Sequence, residues 1–259
     1  MRDQDLRITV LSGTTKDGEQ ELLDCLDLAS GEIVALVGPT GSGKSQLLSD
    51  IEQRAAGDTP SKRTVLVHGD AVDADSRGLI AQLSQTMRFV IDMAVADFLS
   101  VHAASRGLDR SVVDEVIALA NRLTGEPMAP ESPMTTLSGG QSRALMIADI
   151  ALISRAPIVL IDEIENAGID KLQALETLSE EGKIVLIASH DPVVVLMAQR
   201  RVVMKNGGMS RLLHTSLEED ALLYHLVTID REMGFVRERL RNGDQVAHES
   251  TLETNRRLN

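Results

Sequence analysis

Residues 38–45 read Gly38-Pro39-Thr40-Gly41-Ser42-Gly43-Lys44-Ser45, a G-x-x-x-x-G-K-[ST] pattern. The apolar run Ile33-Val34-Ala35-Leu36-Val37 precedes it and reads as a strand. Gln46-Leu47-Leu48-Ser49-Asp50-Ile51 follows it with helical spacing. A strand, a glycine loop and a helix form the setting in which this pattern has chemical meaning. The glycines let successive backbone N–H groups converge on phosphate oxygens, and the helix N-terminus adds a favourable dipole. In that setting Lys44 reaches the β- and γ-phosphates, and Ser45 offers its hydroxyl to Mg²⁺.

The 259 residues suffice for one large domain or two small ones. With 43% hydrophobic residues but three Phe, one Tyr and no Trp, the core must be aliphatic. The net charge of −13 and the lack of a dense basic cluster argue against a nucleic-acid surface. Arg237, Arg239 and Arg241 alternate with Glu238 and Leu240, as on a solvated helix face. Cys25 is the single cysteine, so no intrachain disulfide can form. The polar N-terminus does not read as a secretory signal, and the apolar runs are too short to span a bilayer. The expectation is a cytoplasmic protein without direct membrane insertion, or one peripheral on the inner face of the cell membrane through a partner.

Further motifs follow in order. Leu137-Ser138-Gly139-Gly140-Gln141 opens a helical run over 142–153. Pro157-Ile158-Val159-Leu160-Ile161 reads as a strand ending in Asp162-Glu163. Ile184-Val185-Leu186-Ile187-Ala188-Ser189 reads as another, ending in His190-Asp191. Each polar group falls at the C-terminal end of a buried-type strand or at a helix start, where ligands bind in open parallel sheets.

This ordered set resembles the ATPase domain of the ATP-binding cassette (ABC) superfamily over about residues 5–210. The resemblance implies an α/β, P-loop NTPase fold with accessory antiparallel strands, here around Ile8-Thr9-Val10 and the stretch before Gly31. It implies a helical subdomain at about 86–136, whose helices read as 95–106 and 111–123. A C-terminal helical extension over 211–259 follows, with a mobile end. The cofactors implied are ATP and Mg²⁺. Nucleotide binding falls to Gly38, Pro39, Thr40, Gly41, Ser42, Gly43, Lys44 and Ser45, and to Ser138, Gly139, Gly140, Gln141 and Asp170. Asp162, with Ser45 and Gln85, would hold the metal. Glu163 would polarise the attacking water, His190 would meet the γ-phosphate, and Gln85 would report nucleotide state, with Gln82 a weaker alternative. By itself His190 reads equally as a helix cap near Pro192. Ser138 and Gly140 would serve the ATP on another subunit's P-loop, so a homodimer across two ATP is implied.

The chain departs from the family in places. Many members stack adenine on an aromatic residue some 25–30 positions before the P-loop lysine, whereas the first aromatic here is Phe89. Weaker discrimination between ATP and GTP is expected. Asp149 stands where transport ATPases usually carry arginine. The segment Asp162-Glu163-Ile164-Glu165 lacks the usual Pro-Thr and looks one residue longer than the usual loop up to Asp170. Two roles stay open: powering separate membrane permease subunits, or remodelling or loading a soluble client protein, for example in metallocentre assembly. The turn Asn206-Gly207-Gly208 is expected to close the core domain, and 217–240 to form an amphipathic helix.

Overall fold

The computed structural model describes residues 6–68, 78–84, 89–162 and 168–246. The chain divides into two compact units, with the break after His214. The first unit is built on a six-stranded sheet. Its strands are β3 (Ile33–Val37), β5 (Ile80–Leu83), β6 (Ile158–Asp162), β7 (Ile184–Ala188), β8 (Arg200–Lys205) and β9 (Gly208–His214), in the order β5-β6-β7-β3-β8-β9. All neighbours are parallel except β9, which pairs antiparallel with β8. A second, antiparallel sheet sets β1 (Arg7–Leu11) between β2 (Cys25–Ala29) and β4 (Thr64–His68).

Continuous apolar runs form the central strands because both faces of the sheet are covered. Successive side chains point to opposite faces, and two cores result. Ile33 and Ala35, Val159 and Ile161, and Val185 and Ile187 face one core. That core is completed by helices α2 (Val95–Ser105), α3 (Val112–Leu123), α4 (Gly139–Leu152) and α5 (Lys171–Glu180). Val34 and Leu36, Leu160, and Ile184 and Leu186 face the other, under the antiparallel sheet and α1 (Lys44–Glu52). Each fully buried Leu or Ile contributes about 1.5–3 kcal/mol relative to exposure, and the strands supply them from both sides.

The expected accessory strands are present as β1 and β2, and the two expected helices are present as α2 and α3. The helix after the Leu137–Gln141 motif begins earlier than its apolar spacing indicates. Ser138 caps it, accepting from Gln141 N (3.2 Å) while Gln141 Oε1 accepts from Ser138 N (2.9 Å). The glycines are thus its first turn, and α4 starts at Gly139. Asn206-Gly207 also does more than end a domain. It turns the chain back into β9, and the first compact unit runs to His214.

Among the described residues, the second unit is built on α7 (Leu217–Arg241), a 25-residue helix. Ser216 and Glu219 form a capping box at its start. Near its other end the Arg239 guanidinium lies 6.0 Å from the Phe235 ring centre.

Candidate nucleotide site

The sheet order determines which residues can meet. Strands β3 and β7 are direct neighbours, and β6 lies on the far side of β7. Their C-terminal ends are level, with Leu36 and Asp162 both registered against Ala188. The loop after β3, the last residue of β6 and the residues just past β7 therefore converge. They line one cavity of about 360 Å³, bounded by Thr40, Gly41, Ser42, Gly43, Lys44, Ser45, Gln46, Asp162 and His190, together with Lys16.

The loop is shaped for an anion. Gly43 precedes α1 in a left-handed conformation (φ 103°), and α1 has no side-chain cap and no acid in its first turn. Its first N–H groups and the positive end of its dipole face the cavity, and no acid of its own first turn competes for them. The Lys44 ammonium donates to Gly38 O (2.7 Å) and Pro39 O (3.3 Å). A carbonyl is a weaker partner than a phosphate oxygen, so an incoming phosphate would draw that ammonium away. The Ser42 hydroxyl is buried against Gly38, with no hydrogen-bond partner among the described residues.

Ser45 Oγ donates to Asp162 Oδ2 (3.3 Å). One hydroxyl and one carboxylate beside a phosphate cradle suit Mg²⁺, which keeps several waters and takes its other oxygens from substrate phosphates. The described residues hold no cluster of three or more His, Cys, Asp or Glu fit to bind a metal, so a protein-only metal site is not what this donor set offers. Bound there, Mg²⁺ would neutralise charge on the β- and γ-phosphates. His190 lines the same cavity from the end of β7. It does not cap the following helix. Asp191 does, accepting from Val193 N (2.8 Å) ahead of Pro192 in α6 (Pro192–Met197). Asp191 also pairs with Lys171.

Ser138, Gly139, Gly140 and Gln141 are not among the residues lining this cavity. The Gln141 amide is committed within its own chain, to Ser138 N and to Glu126 O (3.1 Å). Asp170 caps α5, accepting from Gln173 N (3.0 Å), and its own N–H donates to Leu123 O (2.8 Å). A Cβ on Gly168 would lie 3.9 Å from Gly140 Cα, so the segment leading to Asp170 runs beside the start of α4. Glu163 and Gln85 lie outside the described residues. Gln82 sits on β5, and with its amide turned so that nitrogen rather than oxygen faces Glu52, it donates to that carboxylate (2.8 and 3.0 Å) at the end of α1.

Three residues of the site were not singled out from sequence. Lys16 reaches the cavity and donates to Gly41 O (2.7 Å). Gly207 backs the loop, its N–H donating to Ser42 O (2.9 Å). Arg63, fully buried, ties these parts together. It donates to Glu21 Oε1 (2.5 and 3.0 Å), Asp50 Oδ2 (2.8 Å) and Gly207 O (2.7 Å). Asp50 is held in turn by Ser61 Oγ (2.7 Å) and by the amide of Gln46, a cavity residue (2.9 Å). No local pattern announces these contacts, because their partners lie far apart along the chain.

Three layers around a parallel sheet, with a phosphate loop after one strand and a carboxylate at the end of another, define a P-loop nucleotide-binding protein. Comparison with known proteins narrows this. The family model for ABC transporters matches residues 25–166. An uncharacterised ABC transporter ATP-binding protein of Methanocaldococcus jannaschii is 52% identical over 93% of this chain and 95% of its own length. The macrolide export ATP-binding/permease protein of Psychrobacter arcticus is 30% identical over 70% of this chain, a match spanning only 29% of that relative's length. A solved dimeric ATP-binding cassette in a post-hydrolysis state, bound to ADP and Pi, matches with a TM-score of 0.58 and 25% identity, over 81% of this chain and 99% of that one. The chain belongs to the ABC transporter family and is an ATP-binding, ATP-hydrolysing member of it.

Proposed function

We propose that this chain hydrolyses ATP in a Mg²⁺-dependent reaction as a head-to-tail dimer of two copies, and that the dimer powers separate membrane permease subunits. One observation supports the dimer above the others. The P-loop, Asp162 and His190 share a cavity, while the helix start at Ser138–Gln141 presents N–H donors elsewhere. A helix N-terminus of that kind suits an anion, and a second copy's nucleotide would supply one. Two-fold pairing completes two sites at once. The solved relative bound to ADP and Pi is itself dimeric.

In this reading the residues have distinct tasks. Residues Gly38–Ser45 bind the phosphates, and Lys44 turns from its carbonyl partners to the β/γ-oxygens. Ser45 and Asp162, with Gln85, hold the metal. Glu163 orients water, and His190 steadies the γ-phosphate. Asp170 stands near the junction between copies. Catalysis rests on positioning and electrostatics rather than on covalent chemistry with the protein. Loss of the γ-phosphate contacts after hydrolysis releases the pair.

No helix among the described residues is long and apolar enough to cross a membrane. The transport reading puts the membrane-crossing part in separate permease subunits, with this chain at the cytoplasmic face. Glu165, an acid where transport subunits carry Thr, favours the second reading, a cytoplasmic ATPase that remodels a client protein.

The test is affinity purification of Glu163→Gln with ATP from membrane and soluble fractions. Stoichiometric polytopic partners support the transport reading. A soluble assembly factor with nothing in the membrane fraction replaces it with the second. A Glu163→Gln protein that hydrolyses ATP at the wild-type rate and stays monomeric with ATP removes the site assignment itself.

A further inference from the structure

The nucleotide cavity contains a second lysine that the phosphate-loop pattern does not include. Lys16 is carried on a short hairpin, residues 12–24, closed by a bridge between Thr14 and Gln20 and by Thr15 N donating to Glu19 O (2.8 Å). The hairpin is anchored deeply. Glu21, 3% exposed, accepts from Arg63, from Gly13 N (3.3 Å) and from Met209 N (3.2 Å). Lys16 N donates to Asn206 O (2.9 Å), and the Lys16 stem runs over Gly207, where a Cβ would come within 2.9 Å of Cγ. Backbone and stem are thus held in place.

The head is held differently. The Lys16 ammonium makes one described bond, to Gly41 O in an exposed part of the loop. An ammonium has three donors, and a bond to a phosphate oxygen is about twice as strong as one to a neutral carbonyl. Lys44 is placed the same way, on Gly38 O and Pro39 O. The two ammonium groups stand at either end of the Gly38–Gly41 turn, each on a carbonyl of that turn and each lining the cavity. This concentration of positive charge occurs in a chain with thirteen more acids than bases. Among the described lining residues the only ring is that of His190, at the strand end beside Asp162. The other described lining residues offer no aromatic face to a base.

We infer that Lys16 is a second phosphate-binding lysine of this cavity, and that the site draws its affinity from the phosphate chain of a nucleoside triphosphate with little preference among bases. The inference rests on the nucleotide reading above and adds a residue and a specificity to it. The hairpin holds a cation beside the phosphate loop, and a charge acts alike on ATP, GTP and bare polyphosphate.

Calorimetric titration of ATP, GTP and inorganic tripolyphosphate, each with Mg²⁺, into wild type, Lys16→Met, Lys16→Arg and Lys44→Ala tests this. Similar wild-type affinities for ATP and GTP are expected. Lys16→Met should weaken all three ligands by a common factor of about tenfold or more, the worth of one charge-assisted bond. Lys16→Arg should restore most of the loss, and the melting temperature without ligand should not move. A Lys16→Met protein that binds all three like wild type, or that loses only one nucleotide, overturns the role of Lys16. If Lys44→Ala abolishes binding in the same series, the nucleotide site itself stands. If wild type binds none of the three, both readings fall together.

Discussion

Gly43 and Gly207 meet backbone to backbone. A Cβ on Gly43 would lie 2.8 Å from Gly207 Cα, and one on Gly207 would lie 2.9 Å from Lys16 Cγ. The phosphate loop, the β8–β9 turn and the Lys16 hairpin are stacked in that order, with no side chain between the first two. Both glycines have left-handed backbones, φ 103° and 87°. The β8–β9 turn therefore backs the phosphate loop directly.

Gly207→Ala should destabilise the chain by about 1–2 kcal/mol through its backbone conformation alone. Displacement of the Lys16 stem adds to that cost. Gly43→Ala should cost more, because its neighbour is backbone and cannot rotate away. Urea midpoints check the ranking, and a Gly43→Ala protein as stable as Gly207→Ala contradicts the stacking.

Arg63→Met should be among the most damaging single substitutions in the first unit. It leaves Glu21 and Asp50, both buried, without their shared cation. Breaking a buried pair from one side costs roughly 3–5 kcal/mol. The triple change Arg63→Met, Glu21→Gln, Asp50→Asn should recover part of the loss, since the stranded charges go with it. A triple variant no more stable than Arg63→Met shows that packing of the guanidinium, not its charge, is what counts.

The sequence made the nucleotide loop legible because its chemistry is local: strand, turn and helix follow within twenty residues of Ile33. The strands ending in Asp162 and His190 were readable for the same reason. What stayed hidden is held by contacts distant in the chain. Nothing adjacent in the chain marks Lys16 or Arg63. Their roles appear only once the antiparallel sheet brings the hairpin and Arg63 against the β8–β9 turn, which β8 holds beside β3. The helix boundary at Gly139 was misjudged because apolar spacing ignores the capping box. The antiparallel strand β9 was missed because Gly207-Gly208 reads as an end rather than a return.

Burial pushes the Asp149 carboxyl above its ordinary range, opposed first by its hydrogen bond with His102 Nδ1 (2.7 Å) and then by the charges of His102 and Arg106. The folded chain binds that proton more tightly than the unfolded chain. The contribution to stability is thus complete below the ordinary aspartate value of about 3.9 and is lost as pH rises through the higher folded value. Asp149→Asn removes this slope. The urea midpoint of the variant minus that of wild type should climb from about pH 4 upward and then level off. A difference independent of pH would mean that Asp149 is ionised in the fold at its ordinary value.

The proposed dimer gives Ser138 two duties that one substitution can separate. It caps α4 through Gln141 N, and in the proposed dimer its hydroxyl meets the other copy's γ-phosphate. Aspartate caps as well as serine, and its charge is favourable at a helix N-terminus. Ser138→Asp should therefore match wild type in melting temperature within about 1 kcal/mol of stability, yet place a carboxylate against the incoming phosphate. Ser138→Ala should show the reverse balance, losing about 1 kcal/mol of helix stability without adding repulsion. Light scattering with ATP, in the Glu163→Gln background, reads the second duty directly. Monomer for Ser138→Asp beside dimer for Ser138→Ala supports the composite site. Dimer for both means that the start of α4 does not face a nucleotide across the pair, and the head-to-tail arrangement would have to be abandoned.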